Sequence, residues 1–263
     1  NDGLSPQQTL EEFIKILFVK VLDESNADRK FVISATEWQE LSRTGTQAEF
    51  LERQTKLFYD TREVYRDVFE KDDRIRLSPT ALGFTVNKLQ TISLSDAQQD
   101  AKGLAFQKFL SHHEKKGSGQ FFTPTPVIDF CVKIIDPKPH EKIIDPACGS
   151  GGFLMSAFNH VFATGDHKNN AAAEYVSKNV FGIDINRSIA RIAKLKLLLE
   201  TNTPNNIYSA SSLEDLDALS LTLGVDDGFD VVLANPPFGA KISSPATLSA
   251  FDLGYKWLLH DGR

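Results

Sequence analysis

The chain has 263 residues, of which 41% are hydrophobic and 24% charged, a composition ordinary for a globular protein. Its net charge is −6, and acidic residues outnumber basic ones in both 1–115 and 116–263, which excludes a uniformly basic nucleic-acid-binding surface. No apolar run approaches the ~18 residues of a membrane span. The two cysteines exclude a disulfide framework and favour a cytoplasmic location.

The first part of the sequence predicts helices. Ser5, Pro6 and Gln8 supply an N-cap, a proline at the first helical position and a glutamine at the third. Apolar residues then recur at helical spacing through Val21, which indicates one buried face. Further helices are predicted to begin at residues 46–49, 78–79 and 95–98. We therefore predict an all-α N-terminal domain over residues 1–115.

A polar segment with two glycines, residues 112–119, marks the predicted domain boundary between residues 115 and 116. It contains His112 and His113, which could suggest a metal site. No cysteine or histidine partner stands at ligand spacing from them, so we interpret the segment as a solvated linker without a metal.

Strands and helices alternate beyond this boundary. A helix is predicted from Thr125 to Ile135. Strands are predicted at residues 142–145, 179–184, 207–208 and 229–234, with helices from about residue 152 and over residues 188–199. Such alternation indicates right-handed βαβ units and a parallel sheet, so the predicted fold class is α/β.

Asn235-Pro236-Pro237-Phe238 directly follows the last predicted strand. Two consecutive prolines cannot continue a strand, because neither has a backbone N–H. In open α/β sheets, ligands bind at the carboxyl ends of strands. The Asn235 amide oxygen and the Pro236 carbonyl can accept hydrogen bonds from one exocyclic amino group, and Phe238 can stack on the base that carries it.

A second motif, Asp145-Pro146-Ala147-Cys148-Gly149-Ser150-Gly151-Gly152, joins the first predicted strand to the next helix. Its glycines allow a tight turn and a close approach to a ligand at the positive end of that helix. Asp145 can meet a cationic amino group, and Asp184, which ends the next strand, can accept hydrogen bonds from a ribose diol. The loop lacks Gly-x-Gly-x-x-Gly spacing, which favours a methyltransferase over a nicotinamide-binding fold.

A third motif, Gly119-Gln120-Phe121-Phe122-Thr123-Pro124, precedes the helix at Thr125. With the three motifs in this order, residues 100–263 resemble the adenine-N6 DNA methyltransferases, most closely the modification subunit of type I restriction-modification systems. The helical N-terminal part is similar to that family more loosely.

The resemblance implies an S-adenosylmethionine-dependent methyltransferase with a Rossmann-like parallel sheet and a catalytic domain over residues 116–263. It implies seven strands, of which four are found, so we expect a truncated sheet that lacks its C-terminal strands. The implied reaction is methyl transfer to N6 of a flipped adenine in double-stranded DNA, without a metal. The implied partners are a specificity subunit, a second modification subunit and a restriction subunit, with no membrane.

The resemblance also assigns the site residues. The catalytic residues are Asn235, Pro236, Pro237 and Phe238. The cofactor-binding residues are Gln120, Phe121, Phe122, Thr123, Pro124, Thr125, Asp145, Ala147, Gly149, Ser150, Gly151, Gly152 and Asp184.

Two positions and two alternatives qualify this assignment. Ser211 stands where the family usually has an acid after the third strand, and we expect it to be a weaker acceptor. Cys148 has no nearby histidine and is interpreted as a packing residue rather than a nucleophile. One alternative is transfer to another amino group, on cytosine N4 or a protein glutamine. The other is a non-catalytic cofactor-binding or assembly fragment.

Overall fold

The computed structural model describes residues 3–66, 68–94, 123–163, 170–201, 203, 205–213, 220, 223–225, 227–237 and 244–251. Several predictions fall outside these ranges: the helix at residues 95–98, the linker at 112–119, and the site residues Gln120, Phe121, Phe122 and Phe238. The chain divides into two compact units. The first is Asn1–Gly119 with Leu198–Asn202, and the second is Gln120–Leu197 with Thr203–Arg263.

The described part of the first unit up to residue 94 is helical. Its helices are α1 (Pro6–Ser25), α2 (Ala35–Thr44), α3 (Ala48–Val64) and α4 (Pro79–Leu89). The predicted starts of α1, α3 and α4 are confirmed. At α1, Gln8 N donates to Ser5 Oγ at 3.2 Å, and Ser5 N donates to Gln8 Oε1 at 2.9 Å, which forms a capping box.

Helix α2 was not predicted, although its signal is in the sequence. Ser34 Oγ accepts from Glu37 N at 3.2 Å, and Glu37 Oε2 accepts from Ser34 N at 2.8 Å, so the same capping box begins this helix. The helix buries only Leu41. Because one buried position gives no apolar periodicity, the spacing of apolar residues could not reveal α2.

The second unit contains a four-stranded, all-parallel sheet in the order β3-β2-β1-β4. The strands are β1 (Ile143–Asp145), β2 (Val180–Asp184), β3 (Asn206–Ser209) and β4 (Val231–Val232). The predicted parallel α/β sheet is confirmed. Ile143 and Ile144 face opposite sides of it, each in a separate buried apolar cluster, so both faces of the central strand are covered.

The helices of this unit are α5 (Thr125–Ile135), α6 (Gly152–Val161), α7 (Asn170–Asn179), α8 (Arg187–Thr201) and α9 (Pro245–Ser249). The last residues of α8, from Leu198 on, belong to the first unit. The predictions of α5 and α8 are confirmed to within two residues at each end, and the predicted start of α6 is confirmed. Helices α7 and α9 were not predicted. No helix within the described ranges is long and apolar enough to cross a membrane.

Strand β4 is shorter than the predicted strand at residues 229–234. Val231 N donates to Lys142 O at 3.1 Å and Leu233 N donates to Ile144 O at 3.0 Å, but the regular ladder covers two residues. Val231 and Leu233 are buried, whereas Val232 is 60% exposed. The strand predicted at residues 229–234 is therefore present, but it is shorter than predicted, and Val232 on one of its faces is exposed.

Candidate functional site

The candidate site lies at the carboxyl edge of the sheet. Strand β1 lies between β2 and β4, and all three run parallel. Asp145 ends β1, Asp184 ends β2, and Asn235 follows β4 by three residues. The three side chains predicted to carry the chemistry therefore follow neighbouring strands at the same edge, where open α/β sheets bind ligands.

The loop between β1 and α6 has the geometry that its glycines predict. Gly149 and Gly151 have φ values of +53° and +81°, in the left-handed region that side chains disfavour. A Cβ on Gly151 would lie 3.2 Å from Cβ of Ala193, so the loop backbone packs closely on α8. A Cβ on Gly149 would meet no atom of the described residues within 4 Å, so none of them fills the space over that part of the loop.

Backbone hydrogen bonds join this loop to the end of β2. Cys148 N donates to Ile183 O at 2.8 Å, and Gly149 N donates to Asp184 Oδ2 at 2.9 Å. The other oxygen, Asp184 Oδ1, accepts from Asn186 N at 2.7 Å. Each carboxylate oxygen has a further lone pair, so Asp184 can stabilise the loop and still accept hydrogen bonds from a ligand.

Burial dominates the electrostatics of the two acids. Asp145 is 1% exposed, and this burial, with a smaller contribution from Asp184, raises its pKa to about 7 against the opposing hydrogen bond from Ala147 N at 3.1 Å. Burial likewise raises the pKa of Asp184, opposed by the hydrogen bonds from Asn186 and Gly149. Burial therefore favours the neutral form of both acids, and a cation bound beside them would favour the ionised form and lower both pKa values.

Cys148 is buried in the larger apolar cluster, and this burial raises the pKa of its thiol. Asp145 and Asp184 raise that pKa further, since both disfavour a thiolate. A protonated, buried thiol is a poor nucleophile, so the structure favours the packing role of Cys148.

Within the described ranges, no group of three or more His, Cys, Asp or Glu side chains is placed to hold a metal ion.

Asn235 and Thr123 are brought together although 112 residues separate them. Asn235 Nδ2 donates to Thr123 Oγ1 at 2.8 Å, and both side chains are half-buried. Pro124 is the N-cap residue of α5, without a side-chain hydrogen bond, and Thr125 is the first residue of that helix. Pro236 and Pro237, after Asn235, are exposed. Two predicted motifs, one before β1 and one after β4, are therefore joined, among their described residues, by this hydrogen bond.

Residues that the sequence did not single out also lie at the loop. Lys196 Nζ donates to Ser150 Oγ at 3.1 Å, and Ile185, directly after Asp184, is 76% exposed. Ile185 could have been singled out from the sequence, because it is an apolar residue directly after the acid that ends β2. Nothing in the helical pattern of α8 indicated Lys196. Ser211, at the place where an acid was expected, accepts a long hydrogen bond of 3.4 Å from Leu213 N.

Comparison with known proteins identifies related chains. The family model described as N-6 DNA Methylase matches residues 97–253. The type I restriction enzyme StySPI methylase subunit of Salmonella potsdam is 26% identical over 93% of this chain and 49% of that relative. The chain therefore spans about half the length of this curated relative.

Two solved structures share the fold. The modification subunit of a putative type I restriction enzyme from Vibrio vulnificus YJ016 superposes with a TM-score of 0.57 at 21% identity, over 97% of this chain and 61% of that one. A putative class I S-adenosylmethionine-dependent methyltransferase from Listeria monocytogenes gives a TM-score of 0.51 at 18% identity, over 92% and 64%. The fold is thus that of the S-adenosylmethionine-dependent methyltransferases of class I, and the helical N-terminal region fits it.

The buried Asp145 gives a testable pH dependence. Its pKa is about 7 in the folded protein and near 3.8 in the unfolded chain, so between these values the folded protein holds a proton that the unfolded chain has released. Folding stability should therefore fall as pH rises from about 4 to 7, by at most about 1.4 kcal/mol per pH unit, and level off above that. Urea denaturation at pH 5, 6, 7 and 8 measures this slope.

Asp145→Asn is the matched variant, because an amide keeps the shape and the acceptor for Ala147 N but does not titrate. We expect the variant to retain only a smaller slope of the same sign from Asp184, whose pKa is also raised. An equal slope in wild type and variant would assign the titration to other groups.

Proposed function

The chain belongs to the N-6 DNA methylase family, and we propose that it transfers a methyl group from S-adenosylmethionine to N6 of adenine in DNA. The observation that carries this proposal is the Asn235 amide, held by Thr123 at the sheet edge that also carries Asp145 and Asp184. We further propose that the intact protein is the modification subunit of a type I restriction-modification system and is cytoplasmic. The name of the StySPI relative supports the proposal of a modification subunit. The two free cysteines support the proposal of a cytoplasmic location.

The residues of the glycine loop fit S-adenosylmethionine. Asp145 offers a carboxylate to its ammonium group, and Asp184 offers further lone pairs to its ribose. The space over Gly149, which no described residue fills, leaves room for a ligand against the loop backbone, and the exposed Ile185 offers an apolar surface to a flat ring. When bound, S-adenosylmethionine supplies a methyl group on a positively charged sulfur.

The protein's own part in this reaction is to position the acceptor. The target adenine must leave the duplex, because its N6 cannot be reached within the base stack. Asn235 Oδ1 and the Pro236 carbonyl accept hydrogen bonds from the amino group, which draws the nitrogen lone pair out of conjugation with the ring. In this proposal Phe238 stacks on the base, and positioning is the main source of rate.

The role of Asp184 gives the first prediction of this proposal. Asp184→Ala removes a charged acceptor, which is worth about 1.5–3 kcal/mol, so S-adenosylmethionine should bind roughly tenfold to a hundredfold more weakly in isothermal titration. Asp230→Ala is the control, since Asp230 Oδ2 likewise accepts from a backbone N–H, that of Lys142 at 2.7 Å, but at the amino end of the sheet. Unchanged affinity in Asp184→Ala, or equal losses in the two variants, would remove the assignment.

The role of Asn235 gives the second prediction. Asn235→Ala should lower methyl transfer to adenine N6 by about 10²-fold or more, as expected when a preorganised polar contact in the transition state is lost. Asn235→Asp should retain measurable activity, because it keeps an acceptor and the Thr123 hydroxyl can donate to it. Both variants should keep the wild-type affinity for S-adenosylmethionine and the wild-type melting temperature. Melting temperatures that fall in proportion to activity would make Asn235 a structural residue instead.

The acidic charge balance gives a prediction about partners. We propose that a specificity subunit supplies most of the DNA recognition, with a second modification subunit and a restriction subunit as further partners. The isolated chain should then bind duplex DNA weakly and with little sequence preference. Gel-shift titration with and without the specificity subunit measures this difference. Tight, site-specific binding by the chain alone at physiological salt would contradict the proposal.

A further inference from the structure

We propose that Thr123 is a positioning residue that fixes the plane of the Asn235 amide, so that Oδ1 on the far arm can meet the amino group that is methylated. This inference rests on the proposed function and adds a residue that acts through Asn235. It assigns the Thr123 hydroxyl to Asn235, in place of the cofactor-binding role that the sequence motif implies, and it follows from one contact between distant parts of the second unit.

The sequence around Asn235 removes its usual local partners. An asparagine that ends a strand commonly folds its side-chain oxygen back onto the backbone N–H two residues ahead. Here that residue is Pro237, and the residue between them is Pro236, so neither position has an N–H to donate. The Asn235 amide therefore needs a partner from another part of the chain if its orientation is to be fixed.

Thr123 is that partner. The 2.8 Å hydrogen bond from Asn235 Nδ2 to Thr123 Oγ1 is, within the described part of the chain, the only side-chain hydrogen bond that Asn235 makes. Thr123 is itself restrained, since it lies one residue before Pro124, the N-cap of α5. A short polar side chain on a restrained backbone is well suited to fix the plane of a neighbouring amide.

The orientation matters because the two arms of an amide have opposite hydrogen-bonding character. With Nδ2 bonded to Thr123, Oδ1 lies on the other arm and can accept from an amino group. A 180° rotation of the amide would instead present its NH₂ group to the amino group, so that donor would face donor. The Thr123 hydroxyl can donate as well as accept, so it fixes the plane of the amide, and the incoming amino group, which is a donor, selects the orientation that presents Oδ1. Loss of Thr123 frees that plane and should therefore lower the productive fraction of Asn235 without removing Asn235 itself.

The test compares Thr123→Val, which keeps the shape and removes the hydroxyl, with Thr123→Ser, which keeps the hydroxyl. Steady-state methyl transfer to adenine N6 is measured in the intact protein with its partner subunits. Thr123→Val should lower kcat about tenfold, the factor that one net hydrogen bond supports, and Thr123→Ser should restore most of it. The dissociation constant for S-adenosylmethionine should stay within about twofold in both, since the hydroxyl acts on Asn235.

Thr85→Val is the control for the chemical change, because Thr85 Oγ1 also makes a 2.8 Å hydrogen bond, to Ala81 O within α4. It should leave kcat unchanged. In an Asn235→Ala background, Thr123→Val should cause no further loss of kcat, because a positioning residue has nothing left to position. Multiplicative losses in that double variant would overturn the inference. So would a Thr123→Val variant whose cofactor affinity falls while its kcat at saturating cofactor is retained.

Failure of the inference can be told from failure of the proposed function. Wild type that methylates adenine N6 while Thr123→Val keeps full kcat would refute the inference alone. Wild type that does not methylate adenine N6 would refute the proposed function. In that case NMR of the ¹⁵N-labelled Asn235 side chain tests whether Thr123 restrains the amide. Slow exchange of its amide protons in wild type and Thr123→Ser but not in Thr123→Val supports the restraint, and equal exchange in all three overturns it.

Discussion

The hydrogen bond from Gly149 N to Asp184 Oδ2 is the constraint on which the candidate cofactor site depends. It joins the loop after β1 to the end of β2, and the neighbouring bond from Cys148 N to Ile183 O continues the same connection. The loop is thus held by the strand that also supplies Asp184, the acid that we propose faces the ligand. An acid that both shapes a loop and faces a ligand cannot be replaced without affecting both, which is why the Asp184 variant needs a control acid elsewhere on the sheet.

The parallel register turns these local contacts into one site. Asp145 pairs with Gly182, and β1 lies between β2 and β4, so the segments after the three strands emerge side by side. A Cβ at position 182 would lie 2.7 Å from Ile207 Cδ1 and Leu154 Cδ1, so both side chains would have to shift to accept any residue larger than glycine between the sheet and α6. The tight core beneath the edge holds the strand ends in fixed relative positions.

Much of this architecture could be predicted from the sequence because its signals are local. Capping residues marked the starts of α1, α3 and α4, and apolar strands followed by glycines or prolines marked β1 and β4. The misses have physical causes. Helix α2 buries too little to show periodicity, and β4 was predicted too long because an apolar run does not reveal which face has a partner.

The candidate site was predictable as a set of residues but not as a set of contacts. The three motifs gave Asp145, Asp184 and Asn235 by type and position. They could not show that Asn235 bonds Thr123 across 112 residues, since only the fold brings the two together. The same holds for Lys196, whose helical pattern gives no hint that it bonds Ser150. Long-range pairs of this kind require the tertiary structure.

The close packing of Gly151 on Ala193 limits the size of the side chain both in the loop after β1 and on the facing side of α8. Helix α8 touches the loop through Ala193, and one turn further on Lys196 bonds the loop at Ser150. A helix is stiff along its axis, so a bulky substitution elsewhere on its buried face would be relieved by sliding the helix as a unit. The loop would move with the helix. A change in side-chain volume several turns away would then displace the loop backbone at the proposed ligand site.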